Sequence, residues 1–180
     1  MSDEQSFSKE NFKRDVLDRD LYTRSQTRER ALNAAIVEAD IEQGYEEYLA
    51  IFDAFYGDEI EVSSETADRP IRGKDRVRSL LANTLYALHV MAEVGGLIVK
   101  IRATEIAGDV AGETHSAWTV EFVGVSGRTT TLSWHAFRKW NGSRVVYEYH
   151  YDQRQKGEPL TFGDLSLKAV APAPQFGRPS

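Results

Sequence analysis

The chain has 180 residues, 41% of them hydrophobic and 11% aromatic, with a formal net charge of −6, which suits one domain with a sizeable core. Cysteine is absent, so a disulfide framework, a cysteine zinc site and a thiol nucleophile are excluded. No basic block is present, no apolar run approaches the ~18 residues of a membrane span, and the N-terminal MSDEQSFSKENFKRD lacks the apolar core of a secretory signal. The expectation is a cytoplasmic α+β protein that binds neither nucleic acid nor membrane.

Residues 1–26 are polar, with acids and bases interleaved, and read as a partly helical N-terminal arm. Over 28–38 the spacing is helical, with Leu32, Ala35, Ile36 and Ala39 on one face. Asp40 followed by Gln43 reads as a capping box that restarts a helix. Tyr45, Tyr48, Leu49, Phe52, Phe55 and Tyr56 keep helical spacing from there to Gly57. A short strand over 60–63 follows, then a loop at Pro70-Ile71-Arg72-Gly73. A third helix over 74–91 carries Val77, Leu80, Leu81, Leu85 and Leu88 and stops at Gly95-Gly96. Four long strands fill the stretch to Asp152. Residues 153–180 hold four of the five prolines and read as an irregular tail, leaving 27–152 as the domain.

Hairpin spacing predicts which side of the strands meets the helices. A two-residue turn at Asn141-Gly142 puts Trp134 opposite Tyr149, Ala136 opposite Tyr147 and Leu132 opposite Tyr151. A Gly108-Asp109 turn puts Val99 opposite Trp118, and a three-residue loop near Gly127 puts Val120 opposite Trp134. One apolar face then carries Trp118, Trp134, Tyr147, Tyr149 and Tyr151, while His115, His135, Glu148 and His150 lie on a mixed face. The aromatic set reads either as ordinary core or as the lining of a pocket for a flat apolar ligand, with phenols as its polar contacts. Phe52, Asp53 and Tyr56 on the second helix close the floor of such a pocket. Asp53 is the one carboxylate in that stripe, a candidate base if burial raises it and a solvated helix residue otherwise. His135, Glu148 and His150 make a metal triad on paper, but cross-strand charge pairing accounts for them as well, and no metal is assigned.

Phe55-Tyr56-Gly57-Asp58-Glu59-Ile60-Glu61-Val62, then Pro70-Ile71-Arg72-Gly73-Lys74-Asp75, then Trp140-Asn141-Gly142 leading to Tyr149-His150-Tyr151-Asp152, resemble the nuclear transport factor 2-like (NTF2-like) superfamily. The likeness is to its SnoaL-like polyketide cyclase and ketosteroid isomerase branch. The resemblance implies a helix-capped, strongly curved antiparallel sheet, a cone with an internal pocket, and a homodimer formed through the open sheet face of Arg102, His115, Thr119, His135 and Phe137. It places Tyr147, Tyr149 and Tyr151 in the pocket. The positions where ketosteroid isomerases carry their two Asp residues read Ser64 and Trp134 here, and the acid of related cyclases falls on Tyr149.

Two functions follow. One is cofactor-independent proton transfer (an isomerase, cyclase or dehydratase) on a hydrophobic cyclic small molecule. Its catalytic candidates are Tyr149 and Asp53, with Phe52, Tyr56, Trp118, Trp134, Tyr147 and Tyr151 binding the ligand. The other is a non-catalytic ligand-binding or dimeric accessory module. An ionisable group other than tyrosine inside the cavity would separate them.

Overall fold

A computed structural model describes residues 9–106 and 110–157, with side chains described from Arg19 onward. The first eight residues, 107–109 with the expected Gly108-Asp109 turn, and 158–180, most of the expected tail, lie outside the described residues. Three helices and six strands follow the chain as α1 (Lys9–Glu38), α2 (Glu46–Phe55), β1 (Tyr56–Ser64), β2 (Ile71–Arg72), α3 (Lys74–Glu93), β3 (Ile98–Ile106), β4 (Glu113–Val123), β5 (Thr129–Asn141) and β6 (Arg144–Lys156). Among the described residues no helix is long and apolar enough to cross a membrane.

The expected α+β class holds, with three corrections. First, the sheet is mixed rather than antiparallel. Its order is β2-β1-β6-β5-β4-β3, and β1 runs parallel to β6. Nor is it strongly curled, so the cone gives way to an open sheet whose outer strand on one side, β2, is two residues long. Second, the loop at Pro70-Ile71-Arg72-Gly73 contains that strand, with Val62 facing Ile71. Third, Asp40 and Gln43 do interact, Gln43 Nε2 donating to Asp40 Oδ2 at 3.0 Å, but in a turn. The second helix begins only at Glu46, and no side chain caps it.

Helix α1 runs unbroken from Lys9 past residue 26. Its inner face there is polar, with Ser25, Gln26, Glu29 and Asn33 buried. Toward its C-terminus the face becomes apolar, and Leu32 joins Tyr48, Leu49, Phe52, Phe55, Ile60, Leu85, Trp140 and Val145 in the core. Between β1 and α3 the chain turns at Gly73. Its φ of +86° is left-handed backbone that glycine adopts without strain, and its N–H bonds Ile60 O at 2.9 Å.

The first two hairpins differ from the expected pairing by even numbers of residues, so their faces stand. Ala103 opposes Trp118, and Trp118 opposes Trp134. The third does not keep its faces. The turn is Gly142-Ser143, with Asn141 opposite Arg144 and Trp140 opposite Val145, yet Lys139 opposes Tyr147. Val146 is therefore an extra residue, and a bulge of one residue exchanges the faces beyond it. Arg138 now opposes Glu148, Ala136 opposes His150 and Phe137 opposes Tyr149. A second irregularity between Ser133 and His135 ends the exchanged stretch, where Asp152 has φ +52°.

Candidate functional site

The bulge moves two ionisable side chains indoors and three tyrosines outdoors. Tyr147, Tyr149 and Tyr151, expected in the pocket, share the open face with His115, His135 and Phe137. His135 and Tyr151 rings lie 5.1 Å apart, Phe137 and Tyr147 6.1 Å, and Tyr151 OH lies 3.3 Å from His115 Nδ1. Asp53 does not join the aromatic cavity lining either. Arg78 Nε donates to both its oxygens at 3.1 and 3.0 Å, and its side chain is 41% exposed. Its surroundings are cationic because Lys74 and Arg144 donate to its carbonyl oxygen at the C-terminus of α2, where the helix dipole favours positive charge. The supposed metal triad does not assemble, since His135 faces away from Glu148 and His150.

Phe52, Tyr56, Trp118 and Trp134 do come together. With Tyr48, Leu81, Leu85 and Glu148 they line a cavity of about 210 Å³ between the helices and the sheet. A second cavity, of about 260 Å³, shares Phe52, Tyr56, Leu81 and Glu148 with the first and adds His150, Val62, Ile71 and Thr84. Phe52 and Tyr56 stack at 4.6 Å, while Trp118 and Trp134 are near-parallel at 6.2 Å. The His150 ring lies 6.0 Å from Trp134.

Glu148 is the hub of the polar end. Its Oε2 accepts from Tyr56 OH at 2.6 Å and from Arg138 Nε at 2.6 Å, and its Oε1 lies 2.5 Å from His150 Nε2. Arg138 reaches the other way to Glu29 Oε1 at 2.6 Å. Glu29 also accepts from Ser116 and, at 2.8 Å, from Thr114. Arg138 and Glu29 side chains are 3% and 0% exposed, and His150 is 27% exposed. Buried charges persist only when paired and hydrogen-bonded, and each member of this chain from α1 to β6 is.

Burial by itself would raise the Glu148 carboxyl, but Arg138 and then His150 outweigh it and hold it well below the usual carboxylate range. Burial likewise opposes the charge on Arg138, while Glu148, Tyr56 and Glu29 push its guanidinium well above its ordinary value. Burial, then the charge of Glu148, drives the Tyr56 phenol well above 10. Burial, then Asp40 and Glu47, pushes Tyr48 up to about 12. The directions set a pH window. Unfolded Glu148 takes up its proton near its ordinary 4.5, before the folded form does, so its contribution is present above that pH and lost below it. The tyrosines stay protonated in the fold after the unfolded chain ionises near 10, so their contribution is lost as pH rises past that value. Melting temperature should be level from about pH 5.5 to about pH 9 and fall on both sides; a level profile down to about pH 3 would contradict the assignment.

The sequence hid the burial of Glu148 and His150 because the tyrosines that alternate with them suggested the reverse face. One signal was there: Arg138 and Glu148 are opposite charges on adjacent strands that a one-residue bulge brings into register. Glu29 left no signal, lying between Arg28 and Arg30 in a charged run.

No protein-family model matches the chain, and no curated protein does. Solved structures do match. A putative polyketide cyclase from Xanthomonas campestris pv. campestris aligns at TM-score 0.50 and 15% identity, over 73% of this chain and 91% of that one. An NTF2-like protein of unknown function from Cytophaga hutchinsonii aligns at 0.48 and 12%, over 69% and 96%. An LEH-like epoxide hydrolase of M. tuberculosis aligns at 0.49 and 14%, over 72% and 79%. At these identities the likeness concerns architecture: the chain has the NTF2-like fold.

Proposed function

We propose that the protein carries out cofactor-independent proton transfer on a hydrophobic cyclic small molecule, with His150 as the general acid–base and Glu148 as its orienting partner. One observation carries the reading: His150 Nε2 sits 2.5 Å from Glu148 Oε1, with Glu148 on the wall of both largely apolar cavities and His150 on the wall of the second. An ionised carboxylate against one ring nitrogen holds the proton there and leaves Nδ1 with its lone pair; this tautomer is assigned from the hydrogen bond. Glu148 itself is a weak base, because three donors already occupy it. Its charge instead stabilises the imidazolium formed when Nδ1 takes a proton. Tyr56 spends its hydroxyl hydrogen on Glu148, so it positions the carboxylate rather than reaching a substrate.

For a cyclic ketone the step would move the α-carbon proton to Nδ1 and the C–H electron pair into an enolate, and reversal would deliver the proton to carbon. Exchange of the α-protons of 1-tetralone in deuterated buffer, followed by proton NMR, tests it. The full chain should accelerate exchange, and His150→Gln should reduce the acceleration by about 100-fold with the melting temperature unchanged. Binding of 1-tetralone without accelerated exchange would favour the binding-module reading.

We also propose that the open sheet face forms a homodimer. Support comes from the aromatic surface that the bulge creates, where Phe137, Tyr147, Tyr149 and Tyr151 join His115 and His135. A two-fold contact would place Phe137 near its own symmetry mate. Sedimentation velocity should give a dimer at micromolar concentration and a monomer for Phe137→Lys; a monomeric parent chain would refute it.

A further inference from the structure

We propose that the cavity selects a cyclic ligand bearing an ammonium group, the cation lying among aromatic rings and against Glu148. This rests on the reading of the cavity as a small-molecule site and adds the charge of the occupant. Five lining side chains are aromatic, namely Tyr48, Phe52, Tyr56, Trp118 and Trp134, and the negative π-faces of such rings attract cations, most strongly when water is excluded. Two near-parallel pairs, Phe52 with Tyr56 and Trp118 with Trp134, have interplanar angles of 21° and 9°.

The charges at the polar end favour the same occupant. Two carboxylates, Glu29 and Glu148, share the single guanidinium of Arg138. Tyr56 is held in its neutral form, and the remaining nitrogen against Glu148 is His150 Nε2, 2.5 Å from Oε1. Lys74 does not bond to either carboxylate; its ammonium donates to the carbonyls of Asp53 and Tyr56 at 3.0 Å. An anionic ligand would meet Glu148 with Arg138 already committed. A neutral ligand would fill the cavity without drawing on the carboxylate. A substituted ammonium on a ring is attracted to both the rings and Glu148, and it gives up less hydration than a compact ammonium would. The space suffices: about 210 Å³ exceeds the ~150 Å³ of a cavity that takes up benzene.

Phenyltrimethylammonium and tert-butylbenzene share one shape and differ in charge. Their dissociation constants for the full chain, measured by protein-observed NMR, test the inference. The cation should bind at least about tenfold more tightly. Glu148→Gln should reduce that preference to less than about threefold. Trp134→Leu should weaken the cation more than the neutral compound, and it decides the matter if Glu148→Gln does not fold. Equal or tighter binding of tert-butylbenzene would overturn the ammonium inference and leave the small-molecule site standing. Binding of neither would overturn both.

Discussion

Replacing Arg138 by Met should lower the stability at neutral pH by about 3–5 kcal/mol, the cost of breaking a buried ion pair by removing one partner. The substitution keeps most of the apolar bulk but strands Glu29 and Glu148, whose side chains are 0% and 8% exposed. Hydroxyls from Ser116, Thr114 and Tyr56 and the ring of His150 would still reach the two carboxylates, yet the guanidinium that joins them would be gone. Urea unfolding reads the loss directly. Combining Arg138→Met with Glu29→Gln and Glu148→Gln should recover most of it, because replacing a whole buried ionic group is often close to neutral. A cost below about 1 kcal/mol for Arg138→Met alone would mean that the pairing is not what holds these strands to α1.

Glu148→Gln should reduce proton transfer far more than it reduces stability. The amide matches the carboxylate in shape but offers N–H donors as well as an oxygen. A donor facing His150 Nε2 requires that nitrogen to accept, which moves the imidazole proton to Nδ1, where the base is needed. In the analogous Asp→Asn change of the serine-protease triad, the wrong tautomer lowers turnover by about 10⁴, and a loss of that order is expected here. Arg138 retains Glu29, so the fold should survive at a cost of about 1–3 kcal/mol. Exchange of 1-tetralone α-protons and urea unfolding on one preparation would separate the effects. Retained exchange in a folded Glu148→Gln would remove Glu148 from the proton path.

Much of the fold was legible because most of it obeys simple periodicity. α2 and α3 follow the 3.6-residue pattern of Leu49, Phe52 and Phe55 and of Val77, Leu81 and Leu85. The faces of β3, β4 and β5 follow strict alternation, so errors of two or four residues in pairing did no harm. The candidate site broke the rules it was read by. In β6, Tyr147, Tyr149 and Tyr151 alternate with Glu148 and His150, and burial of the apolar set is the ordinary expectation. The extra residue Val146 reverses it, and Glu148 is buried because Arg138 and Tyr56 stand ready to satisfy it. Functional sites are where local patterning and tertiary structure most often disagree. In the middle of α1 the buried face is Ser25, Gln26, Glu29 and Asn33, which carries no apolar period to read.

The most direct test of the account compares two neighbours on β6 in the same 1-tetralone exchange assay. The sequence pattern alone puts Tyr149 in the cavity, whereas the structure puts His150 there. Tyr149→Phe should keep full α-proton exchange, and His150→Gln should lose it by about 100-fold. Lost exchange in Tyr149→Phe together with full exchange in His150→Gln would contradict both the β6 register and the site built on it.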